Sequence, residues 1–247
     1  MSKHKENSVL KKAVEKIREK QLGRKGIKKR IKDLKKSPYG KNWQKVEPDF
    51  YFRIYKYRPL LHQDFLKYLK KKDEIKTIVE VGCGAGTYPI EFKEYFDKKD
   101  YLGIDIGKPA IDYCKENSDF EFICGDIINM EIGRKFDLIF SHAVIDHVYD
   151  IDAFIKKIIS LSRKYVYISA YRGYFPNLSE HKMIWDNEKG CYYNDLSINQ
   201  LKKSLISFGL TEEEINIRRQ PDGTELNQDY SIGLDGFETV IEITKKS

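Results

Sequence analysis

The spacing of apolar positions changes character twice along the chain. Leu10, Ala13, Val14 and Ile17 recur at helical spacing, and Ile27, Ile31 and Leu34 form a second, narrower stripe that SPYG ends. With so few apolar residues these helices are too weak to stand alone; they must dock, bind something or remain mobile. An aromatic cluster follows at Phe50, Tyr51, Phe52, Tyr55 and Tyr57. Pro59 then suits the first turn of a helix over 59–71 that carries Leu60, Leu61, Phe65, Leu66 and Leu69. From Thr77 onward, β-branched and aromatic runs alternate with helical periods. Strands are predicted at TIVEVG, YLGIDI, FEFICGD, FDLIFS and YVYISAY, with helices over 87–96, 109–117 and 151–161 and another at INQLKKSLISFG. The connections are too long for hairpins, which argues for parallel strands covered by helices on both faces. EINIRRQ and FETVIEITKK, joined by a Gly- and Asp-rich loop, predict an antiparallel finish. CYYND, residues 191–195, fits a lid or a helix lead-in, and the pattern takes it no further.

Composition narrows the class. The 247 residues are 40% hydrophobic and 34% charged, and no apolar run approaches the ~20 residues of a membrane span. The opening MSKHKENSVLKK has no apolar leader segment, and the four cysteines show no C-x-x-C spacing. A cytoplasmic protein without a metal site is expected. Charge divides the chain: residues 1–47 hold 17 Lys and Arg against 5 Asp and Glu, or +12, and residues 48–247 hold 28 against 33, or −5. The expected organisation is a basic helical arm, 1–47, and one domain, 48–247.

The chemistry begins at VEVGCGAG. A strand that ends in glycines and opens a helix presents backbone N–H groups at the carboxyl edge of the sheet, where open α/β sheets bind ligands. A dinucleotide fingerprint would need a third glycine at 87, which is Thr87; the spacing here is Gly82, Gly84, Gly86, with Glu80 two residues ahead. This stretch resembles the first motif of the class I S-adenosylmethionine-dependent methyltransferases, E/D-x-G-x-G-x-G. YLGIDI, ICGDI and FDLIFSHAVIDHVYDI follow in the order that family shows, and the likeness is strong over residues 77–170.

The resemblance implies a Rossmann-like fold: a seven-stranded, mostly parallel sheet in the order 3-2-1-4-5-7-6, its last strand antiparallel, with helices on both faces and a helical N-terminal extension. It implies S-adenosylmethionine as cofactor, Asp105 on the ribose hydroxyls and Asp126 on the adenine amino group. Ile106 and Ile127 would flank the ring, Glu80 would organise the loop, and Ser141 would border the pocket. A carboxylate accepts from two hydroxyls at once, so Asp105 suits a diol. Thr87 and Asp126 both stand against an NAD-binding alternative.

Methyl transfer from a sulfonium is an in-line displacement that needs alignment and dryness, with a base only for some acceptors. The loop SHAVIDHV lacks the N/D-P-P-Y/F signature of amine-modifying enzymes and the Pro-Cys motif of cytosine-modifying ones, and it resembles the family's small-molecule branch. His142 is the first candidate base or acceptor-orienting group, His147 the second. Tyr171 and Arg172, after the fifth strand, are candidate acceptor contacts. The expected activity is O- or N-methylation of a small molecule, sugar or glycan. Two alternatives stand beside it: an RNA methyltransferase gripping nucleic acid through the arm and its aromatics Tyr39 and Trp43, and a non-catalytic, cofactor-binding regulatory subunit. A basic arm also fits an anionic membrane surface.

Overall fold

The computed structural model describes residues 39, 42–56, 59–221 and 236–246. The two amphipathic stretches of the arm and the loop before the final strand lie outside the described residues. Among the described residues two helices, α1 (Pro48–Lys56) and α2 (Pro59–Lys70), precede the sheet. The aromatic cluster that shows no clear period therefore includes a helix, with Pro48 at its first position, where a missing N–H costs nothing.

Seven strands form one sheet: β1 (Thr77–Val81), β2 (Asp100–Asp105), β3 (Glu121–Cys124), β4 (Phe136–His142), β5 (Ser162–Ala170), β8 (Ile215–Pro221) and β9 (Phe237–Thr244). Between β5 and β8 lies a separate antiparallel hairpin, β6 (Lys182–Asp186) with β7 (Cys191–Asp195). The sheet order is β3-β2-β1-β4-β5-β9-β8, and β9 runs antiparallel to both neighbours. Leaving out the hairpin, this is the topology expected from the sequence.

Four further helices cover the sheet: α3 (Thr87–Glu91), α4 (Lys108–Asn117), α5 (Ile151–Leu161) and α6 (Ile198–Ser207). Strand alternation splits the core in two. Val79, Val81, Ile104, Ile139 and Ile168 meet Phe154, Ile158 and Leu201 from α5 and α6. Ile78, Tyr101, Leu138, Phe140 and Tyr167 meet Phe65 and Leu69 of α2, Tyr88 of α3 and Cys114 of α4. Phe65 stacks on Phe140 with ring centroids 4.3 Å apart. α5 matches its predicted span because its apolar period is wide and Asp150 caps it, the carboxylate accepting from Ala153 N at 2.9 Å. The helix expected over 87–96 breaks at Phe92 (φ −116°, ψ +38°), and a single 3₁₀ turn, Lys93–Tyr95, completes it. The chain reverses its direction of sheet-building between β1 and β4, so their carboxyl ends flank the crevice where such sheets bind ligands.

Candidate functional site

A cavity of about 350 Å³ opens at that crevice. Its floor comes from strand ends: Val81 and Gly82 from β1, Ile104, Asp105 and Ile106 from β2, and Gly125 and Ile127 after β3. Gly82 and Gly84 must be glycine. Their φ angles are +78° and +53°, and an added Cβ would sit 2.0 Å from the Val144 side chain and 2.4 Å from the Tyr51 ring. Ala143 also holds a positive φ, +55°, with its N–H on Ser169 O at 2.9 Å. That turn, costing on the order of 1 kcal/mol, carries the chain from His142 to Val144 with both at the cavity wall.

Asp105 is 8% exposed. Its Oδ1 accepts from Gly107 N at 2.6 Å and its Oδ2 from Gly84 N at 2.9 Å. A carboxylate offers about four acceptor sites, and the backbone N–H groups of Gly84, Gly107 and Ile106 take three of them. Burial pushes its carboxyl up to about 6, with hydrogen bonds from Gly107, Gly84 and Ile106 working against the rise. An anion held this way, beside a cavity, gains from a further donor such as a hydroxyl of a diol. Ile106 and Ile127 border the same space, so this end of the cavity fits the ribose and adenine of S-adenosylmethionine.

Asp126 departs from expectation. It does not line the cavity, and four donors meet its two oxygens: Tyr39 Oη at 2.8 Å and Ile128 N at 3.0 Å on Oδ1, Asn129 Nδ2 at 2.7 Å and Tyr149 Oη at 3.0 Å on Oδ2. Those four fill the carboxylate, leaving nothing for an adenine amino group. Asp126 instead pins Tyr39, whose ring also meets Tyr149 edge-on at 4.9 Å. Glu80 is fully buried below the loop, accepting from Tyr101 Oη. Ser141 is likewise fully buried and outside the cavity lining. Arg172 is also away from the lining: its Nε and Nη2 donate to Asp195 Oδ1 at 3.1 and 2.9 Å. Cys83 is a buried thiol, pushed well up by burial.

His142, His147 and Tyr171 do line the cavity. His142 Nδ1 lies 2.8 Å from Ser169 Oγ, and its ring stacks on Tyr88 at 5.1 Å. His147 Nδ1 lies 2.6 Å from Tyr192 O, so that nitrogen carries the proton and a neutral ring keeps its lone pair on Nε2. The rest of the wall comes from residues that motif reasoning passed over: Trp43, Phe50, Tyr51 and Arg53 ahead of the sheet and Tyr193 from β7. Tyr39 and Trp43, the aromatics that a nucleic-acid grip would use, belong to this wall. Among the described residues no three His, Cys, Asp or Glu gather as metal ligands, and no helix is long and apolar enough to cross a membrane.

A family model described as a methyltransferase domain matches residues 72–212, from the end of α2 to the turn before β8. The chain belongs to this methyltransferase family. Its methyltransferase domain is 29% identical over 85 residues to a malonyl-[acyl-carrier protein] O-methyltransferase of Acetivibrio thermocellus, covering 33% of this chain and 30% of that one. It is 28% identical over 98 residues to an uncharacterised methyltransferase of Schizosaccharomyces pombe, covering 34% of each. The chain thus spans about a third of the length of these curated relatives. In three dimensions the domain resembles a putative S-adenosylmethionine-dependent methyltransferase from Listeria monocytogenes (TM-score 0.55, 16% identity, 73% of this chain and 97% of that one). It also resembles the plantazolicin methyltransferase BpumL, solved with a triazolic desmethylPZN analogue and SAH (TM-score 0.54, 15% identity, 76% and 85% covered). At these identities the two structures speak for the fold alone.

Proposed function

We propose that the protein transfers a methyl group from S-adenosylmethionine to an oxygen or nitrogen of a small-molecule acceptor. The observation that carries this is Asp105: a buried carboxylate tied to the glycine loop at the edge of the cavity. The cofactor supplies a sulfonium methyl that needs no further activation. The chain's own residues bind, orient and exclude water. Asp105 takes the ribose hydroxyls, and Ile106 and Ile127 hold the adenine between apolar surfaces. Gly82 and Gly84 let the backbone come close. His142, set by Ser169 Oγ at 2.8 Å, is the proposed base or acceptor-orienting group, and His147 is the second candidate.

Isothermal titration with S-adenosylhomocysteine tests the cofactor half. Asp105→Ala is expected to weaken binding by about 1.5–3 kcal/mol, the range for hydrogen bonds to a charged group; unchanged affinity would remove the central observation. His142→Ala is expected to slow turnover while affinity for the product stays within about twofold. Equal losses in both would exclude a role in the chemical step.

A further inference from the structure

The hairpin β6–β7 has one strand packed on the body of the molecule and one left bare. β7 faces inward: Cys191 and Asn194 are buried, Tyr193 lines the cavity, and Tyr192 O lies 2.6 Å from His147 Nδ1. β6 lies outside it. Among the described residues β6 pairs with β7 alone, so no strand meets the backbone N–H and C=O groups of its outer edge. Met183, Ile184 and Trp185, the three central residues of β6, are all exposed, although Trp185 meets the cross-strand ring of Tyr192 at 4.9 Å. Edge strands are ordinarily blunted by charges, proline or a bulge. The centre of β6 has none of these, and its register with β7 is regular.

A bare apolar edge is completed by a further strand, and the charges at its ends select which one. β6 reads Lys-Met-Ile-Trp-Asp from 182 to 186. Laid antiparallel on a second copy of itself and centred on Ile184, it sets Lys182 opposite the partner's Asp186 at both ends. Met183 then faces the partner's Trp185, and Ile184 faces its own counterpart. Opposite charges directly across a strand pair stabilise it and like charges destabilise it. Parallel pairing of the same strands in register would set lysine against lysine. Among the described residues neither Lys182 nor Asp186 has an ion-pair partner within its own chain. Asp186 Oδ1 accepts from Lys189 N at 2.8 Å, which leaves Oδ2 to receive an ammonium group.

From this we infer that two copies of the chain associate through β6, antiparallel about a two-fold axis at Ile184, into one four-stranded sheet. The contact is self-complementary, so it closes at two chains. The two β7 strands lie at the outer sides of that sheet, each against its own cavity. A two-stranded hairpin is marginal by itself, so the pairing also steadies the strand that carries Tyr193 and holds His147. The inference does not depend on which acceptor the site takes.

Sedimentation velocity of the full chain, from about 1 to about 100 µM, tests the association. The expected result is a mass that rises from one chain to two. Ile184→Lys opposes two ammonium groups at the axis and should hold the chain at single mass throughout. Lys182→Glu turns two attractive pairs into two repulsive ones and should weaken the dimer about tenfold. Cross-linking reads the register independently of these variants. Cys124, the exposed native cysteine, is first replaced by serine, and the three buried ones are kept. Ile184→Cys then sets two thiols on Cα atoms about 5 Å apart, within disulfide reach, whereas Met183→Cys sets them on Cα atoms about 8 Å apart, beyond it. Oxidation with diamide is expected to join two chains through residue 184 and not through residue 183. Single mass at the highest concentration, a dimer that Ile184→Lys leaves intact, no cross-link at 184, or equal cross-linking at both positions overturns the inference. A single-mass chain that cosediments with phosphatidylglycerol vesicles, and loses this with Ile184→Lys, overturns it in favour of a membrane surface.

Discussion

Asp105 shows how one side chain couples folding, binding and pH. Its carboxyl is pushed up to about 6 in the folded protein from the ordinary 3.8, because burial disfavours the charge more than the loop N–H groups favour it. Between about pH 4 and pH 6 the folded form therefore holds a proton that the unfolded form has lost. Stability from this group falls as pH rises through that window, by about 3 kcal/mol in all. Ribose hydroxyls favour the ionised form, so cofactor binding has the opposite slope. Affinity for S-adenosylhomocysteine should rise with pH through about 6 and level off above it, and Asp105→Asn should flatten the profile. Calorimetric titrations across that range check both slopes. Asp105 was legible in the sequence because it ends a strand about 20 residues after the glycines. The engagement of Asp126 was not, because its partners Tyr39 and Tyr149 lie 87 and 23 residues away.

At the scale of elements, the hairpin β6–β7 is the main departure from the sequence reading. Its turn ends at Gly190 (φ +64°), whose N–H donates to Asp186 O at 2.7 Å. Met183, Ile184 and Trp185 run consecutively and are all exposed, at 41–44%, so alternation, the usual mark of a strand with one buried face, is missing from β6. β7 is attached through Asn194, whose buried Nδ2 donates to Ile145 O at 3.0 Å and Val148 O at 2.8 Å. Those carbonyls bracket the turn that carries His147. Asn194→Ala should strand both and cost about 2 kcal/mol, read as a lower denaturation midpoint with an unchanged slope. A midpoint that does not move would mean the hairpin is not held through this residue. By contrast α5 was readable end to end, since its period, its cap and its burial all agree.

For the molecule as a whole, the segment ahead of the sheet completes the cavity. Tyr39 is fixed by Asp126, Trp43 leans on His147, and Tyr51 covers Gly84. A boundary at residue 47, drawn from charge, divides residues that the cavity uses together. A chain lacking residues 1–38 should keep the affinity of the full chain for S-adenosylhomocysteine. One lacking residues 1–47 should bind about tenfold more weakly, the size of a lost hydrogen bond to a carboxylate. Equal affinities would mean that Tyr39 and Trp43 merely shelter the site.

The sequence by itself determined the strands, the helices between them and the glycine loop, and the family resemblance added the strand order and the place of Asp105. The elements follow from local rules: side-chain alternation along strands, helical periods, and backbone angles that only glycine adopts easily. Tertiary structure decided what closes the cavity and which side chains line it. Trp43, Phe50, Tyr193 and Arg53 sit in no recurrent spacing, and nothing local marks an aromatic residue as a wall instead of core. Their roles arise only when the folded sheet brings segments from residues 39–56 and 191–195 to the carboxyl ends of β1 and β4. There the free energy of packing rings against one another places them around the same space.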